Sequence, residues 1–71
     1  MDVEIISSAA IIQDASPSKA LTLAMSKARE VFTKDGARYF MPETFSVSHS
    51  LTQVSGGDWI ASVLISAMAR V

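Results

Sequence analysis

Apolar and polar positions along the chain fall into four patterned segments. Residues 3–13 (VEIISSAAIIQ) are rich in β-branched side chains, which favour a strand. The doublets Ile5-Ile6 and Ile11-Ile12 break simple alternation, so the pattern predicts a strand covered on both faces or one carrying a bulge. Ser16-Pro17 then supplies a helix start, with serine as N-cap and proline at the first helical position. Ala20, Leu21, Ala24, Met25, Ala28, Val31 and Phe32 recur at helical spacing, and Gly36 follows as a C-cap. The spacing predicts one amphipathic helix over 17–35 with an apolar stripe made largely of alanine.

Residues 39–54 form the third segment. Pro42 interrupts it early, as an edge or bulge proline would. Beyond it Phe45, Val47, His49, Leu51 and Gln53 alternate with Thr44, Ser46, Ser48, Ser50 and Thr52, a period of two that predicts a strand. Ser55-Gly56-Gly57-Asp58 reads as a hairpin turn. The fourth segment, 59–71, fits two patterns. A strand puts Trp59, Ala61, Val63, Ile65, Ala67 and Ala69 on one face and Ile60, Leu64 and Met68 on the other. A helix capped by Asp58 gathers Ile60, Val63, Leu64, Ala67, Met68 and Val71. The preceding turn and the β-branched content favour the strand. The expectation is an α+β chain in the order β-α-β-β, with one amphipathic helix packed on a three-stranded antiparallel sheet, as a single domain over 1–71.

Composition sharpens the picture. The chain has 71 residues, no cysteine and one histidine; 49% of it is hydrophobic and 18% charged. So short a chain buries only about 60% of its unfolded surface, and its usual supplements are disulfides, a metal or association. Disulfides and thiolate metal sites are excluded without cysteine, and one histidine provides no multi-His site within a chain. Association is the reading that remains, and a homo-oligomer is expected. From Pro42 onward only Glu43, Asp58 and Arg70 are charged, so the sheet face left bare by a single helix has little to keep it in water. The N-terminus carries Asp2 and Glu4 where a signal peptide wants positive charge, and 59–71 is too short to span a bilayer. A cytoplasmic protein away from the membrane is expected.

Candidate chemistry is sparse. His49 stands alone, and the stripe Ser46, Ser48 and Ser50 lacks a Gly-x-Ser-x-Gly elbow or a base held beside it. No catalytic and no metal-binding residue is assigned, and the chain reads as non-enzymatic. Tyr39 and Trp59 are the residues for stacking a flat ligand between subunits. Lys27, Arg29 and Lys34 form a basic helix face. That face or an exposed sheet edge serves the alternative reading, a small interaction module such as an accessory or phage-type inhibitor protein. Nucleic acid is not expected as a partner, because the net charge is −1 and no aromatics interleave with the basic residues.

The helix opened by Ser16-Pro17, with Ala20-Leu21, Ala24-Met25, Ala28 and Phe32, is similar to the helix of the dodecins, and Tyr39-Phe40 stands where these often carry Trp-Phe. In outline the resemblance extends over most of the chain. It implies a β-α-β-β subunit, a hollow twelve-subunit shell and storage of a flavin. The dodecins stack the flavin on a tryptophan just after the helix, a place held here by Tyr39. They also bond it through a glutamine on the last strand, where this chain has Ile60, Ala61 and Ser62.

Overall fold

A computed structural model describes residues 2–34 and 39–70. Strand β1 (Val3–Asp14) leads into helix α1 (Pro17–Lys34), followed by a two-residue strand β2 (Tyr39–Phe40), a single 3₁₀ turn (Pro42–Thr44), β3 (Ser46–Gln53) and β4 (Trp59–Arg70). The helix begins where Ser16-Pro17 predicts. Ser16 Oγ accepts the Lys19 N–H at 3.4 Å and Ser16 O accepts the Ala20 N–H at 3.0 Å, while Asp14 Oδ1 holds the Ser16 N–H at 2.9 Å. The expected cap at Gly36 lies outside the described residues.

The sheet is antiparallel and centred on β4, with β1 along one edge and β2 and β3 end to end along the other. The expected third strand is therefore two strands, which corrects the count from three to four. Pro42 supplies the physical reason: it has no N–H for the ladder and opens the 3₁₀ turn instead. Phe40 pairs with Ala69 and Ser46 with Ser66, so six steps along this edge answer three on β4. Three residues are looped out. The last segment is a strand, which settles the choice left open by its pattern.

Pairing of β1 with β4 is unbroken from Val3↔Arg70 to Asp14↔Trp59. No bulge is present. The isoleucine doublets are instead divided between the faces: Ile6 and Ile12 turn to the helix side, half-buried, and Ile5 and Ile11 to the open side, exposed. On β4, Ala61, Val63, Ile65, Ala67 and Ala69 are buried on the helix side and alternate with more exposed residues.

The core is an alanine seam. Ala20, Ala24 and Ala28, one per helical turn, show no exposed surface and pack with Ala61, Val63 and Ile65; Ala10, Ile12, Leu21, Met25 and Phe32 pack around them. Small side chains allow the helix to lie close to β1 and β4, but each contributes little apolar area. Val63 is the largest fully buried side chain among the described residues. The shape matches so thin a core. The radius of gyration is 14.2 Å, with extents of 50 × 17 × 14 Å. A compact chain of this length would have a radius of about 11 Å.

The hairpin between β3 and β4 closes through Val54 N–H to Asp58 O at 2.8 Å and Gly57 N–H to Val54 O at 3.1 Å. Gly56 and Gly57 have φ of +96° and +93°, a left-handed pair that only glycine takes without strain.

Candidate functional site

Two surfaces stand out, one on each side of the sheet. The helix covers β1 and β4 but leaves β3 uncovered, so Phe45, Val47 and Leu51 are 44%, 49% and 38% exposed on the helix side. At the C-terminal end of the helix the three looped-out residues have a packing consequence. Phe40 lies beside Ala69, and Phe45, next to Ser46, falls level with Ala67. Two phenylalanines five apart in sequence thus become neighbours on one face. Phe32 joins them from the helix, with ring centroids 5.3 Å from Phe40 and 5.4 Å from Phe45, and 5.9 Å between Phe40 and Phe45.

Thr44 locks this arrangement. Its hydroxyl donates to Met41 O at 2.7 Å and accepts the Met68 N–H at 2.8 Å, standing in for a strand residue where the ladder is interrupted. Met41 N–H donates to Met68 O at 2.9 Å and completes the exchange. Beside the rings is a hollow of about 460 Å³, walled by Phe32, Phe40, Phe45 and Val47 with Arg29 and Thr33 at its helix side.

The opposite face of the sheet has no helix. Ile5 is 70% and Ile11 72% exposed, and Leu64 and Met68 are 48% and 40% exposed on the same side. Serines fill the space between them: Ser7, Ser66 and Ser46 align across three strands, and Ser50 Oγ lies 2.8 Å from Ser62 Oγ. Arg70 is the only charged side chain that β3 and β4 place on this face, at its very end. The serine stripe is thus a cross-strand hydroxyl row. His49 projects to the other side of the sheet from Ser46, Ser48 and Ser50 and pairs with Val63, so the serine stripe does not have the histidine as its base within one chain. Among the described residues, no group of three His, Cys, Asp or Glu side chains is placed to hold a metal ion.

Tyr39 is 76% exposed and pairs with Arg70, on the open face. Trp59 is half-buried at the other end of β4, on the helix side, paired with Asp14 and Gln53. The eleven steps of β4 between these rows span about 37 Å. One chain therefore does not bring the two rings together; a ligand held by both would lie between chains.

Lys27, Arg29 and Lys34 are all exposed. The helical positions do not set all three on one face, although Arg29 and Lys34 line one hollow along the helix with Met25 and Thr33. At 100° per residue, Lys27 and Lys34 fall on one flank of the alanine seam, with Leu23 and Val31. Arg29 falls on the other, with Met25 and Phe32, beside the phenylalanine hollow. Among those described, no helix is long and apolar enough to cross a membrane.

The ring cluster and the Thr44 lock were not anticipated from the sequence. Pro42 was the available signal, because a proline three residues before a long alternating run marks an interruption whose length parity alone does not reveal. Compared with protein-family models, curated proteins and solved structures, the chain matches none.

Proposed function

We propose that this is a non-enzymatic, self-associating cytoplasmic protein that buries its open sheet face against further copies and holds a flat ligand between them. The observation that carries the reading is the helix-free face itself. Five large apolar side chains, Val3, Ile5, Ile11, Leu64 and Met68, stand exposed there among neutral serines. Contiguous apolar faces of this kind mark interaction surfaces. The alanine core supports it from the other side, because a chain with so little buried volume gains the stability it lacks by association.

The resemblance to the dodecins makes a flavin the first ligand to try, with Tyr39 as the stacking residue on the open face; Trp59, on the helix side, does not face a ligand held there. The test is the absorbance spectrum of the purified protein, before and after denaturation, with and without added flavin. Bound visible or near-ultraviolet absorbance that is lost in Tyr39→Ala supports the reading. A colourless protein that leaves flavin fluorescence unquenched removes the ligand. The interaction-module alternative would then be tested by partner capture with Lys27 and Lys34 reversed in charge separately from Arg29.

A further inference from the structure

The β1 edge presents a long, unguarded line of backbone. Sheet edges are ordinarily protected by proline, bulges, inward charges or short strands. The β2–β3 edge has such a device in the Pro42 turn. The β1 edge has none: twelve residues without proline or bulge, and no charge between Ile5 and Gln13. Alternate N–H and C=O groups along it point away from β4.

We propose that β1 is a dimerisation edge, at which the β1 strands of two copies pair antiparallel about a two-fold axis at Ser8 and join two sheets into one. The proposal rests on the self-association reading above and names its first interface. A two-fold axis perpendicular to the sheet pairs residues that lie on the same face. With the axis at Ser8, Ile5 stands opposite Ile11 of the second copy, twice, and the most exposed isoleucines of the open face cover one another. Asp14 then lies opposite Asp2, which is exposed and outside the strand. Moving the axis to Ala9 instead sets Glu4 against Asp14, a like-charge pair within the strands, and Ile5 against Gln13.

The helix supplies an independent observation. Leu23 and Val31, its two most exposed large apolar residues (48% and 44%), lie on the flank away from Phe32, and so over β1. Val31 is about 21 Å along the helix from Pro17, and Ser8 about 20 Å along β1 from Asp14, so Val31 is level with the proposed axis. Because each helix sits above β1 and β4, pairing at β1 brings the two helices to about 10 Å, a normal packing distance. The β1 wall, about 40 Å long and 14 Å thick, presents roughly 560 Å² per copy, so a pair reaches the ~1,000 Å² that specific interfaces need. The product is a continuous sheet with a doubled open face, ready to be covered by further copies.

The chain has no cysteine, which makes the register directly testable. Ile5→Cys and Ile11→Cys, each exposed, are made as separate variants, co-expressed with different tags and oxidised with diamide. A disulfide-linked heterodimer from the mixture, with neither variant linking to itself, is the expected result. Val3→Cys with Gln13→Cys tests the same register if either first variant folds poorly by circular dichroism. An oligomer by light scattering in which neither mixture links, or in which the single variants link equally well, overturns the β1 edge while leaving self-association standing. A dimer that links in this register but grows no further supports the edge and removes the larger assembly.

Discussion

Replacing Thr44 by valine keeps the shape of the side chain and removes its hydroxyl. Two hydrogen bonds go with it, the 2.7 Å donation to Met41 O and the 2.8 Å acceptance from Met68 N–H. Each is worth about 1 kcal/mol net, and a donor left unpaired costs more than that where water cannot replace the partner. Met68 N–H is near solvent and recovers part of its loss, so the expected total is about 2 kcal/mol. For a domain of this size that lowers the midpoint by roughly 8–16 °C. The assay is thermal unfolding by far-ultraviolet circular dichroism at fixed protein concentration, because association shifts apparent stability. Thr44→Ser retains the hydroxyl and should recover most of the loss. A Thr44→Val midpoint within 2 °C of the parent would refute the argument that this hydroxyl closes the gap between β2 and β3.

Ala24→Leu puts three extra carbons into a seam with no exposed surface and should cost about 1–3 kcal/mol through overpacking, read from a urea midpoint. Gly57→Ala meets no neighbouring atom, so its expected cost of about 1 kcal/mol is purely the left-handed backbone; an unchanged melting curve would count against that conformation. Tyr39→Ala removes an exposed ring and should leave the unfolding free energy within about 0.5 kcal/mol of the parent, separating ligand loss from misfolding when the spectra are compared.

The order β-α-β-β, the helix start and the open-face residues Ile60, Leu64 and Met68 were legible because each rests on local periodicity. Ser16-Pro17 and the alanine spacing describe a helix whatever it packs on, and the alternation on β3 describes a strand even though all of β3 is exposed in one chain. The isoleucine doublets were legible only as an ambiguity: a covered strand and a bulged strand both explain them, and the unbroken β1–β4 register decides against the bulge. The ring cluster was not legible. Phe40 and Phe45 differ by an odd number of residues and would fall on opposite faces of a regular strand; the three looped-out residues put them on one. Charge alone does not distinguish the two helix flanks, which is why Arg29 reads with Lys27 and Lys34 in the sequence. Tyr39 and Trp59 are legible as aromatics suited to stacking, but the length of β4 that separates them is a property of the pairing.

The central claim is that this chain completes itself by association, and its molar mass in solution tests that most directly. Light scattering across a size-exclusion peak at micromolar concentration should give a single species several times the 7.6 kDa of one chain. Ile5→Lys with Ile11→Lys should shift that mass downward. A folded species of one chain mass that persists as the concentration is raised would contradict the account.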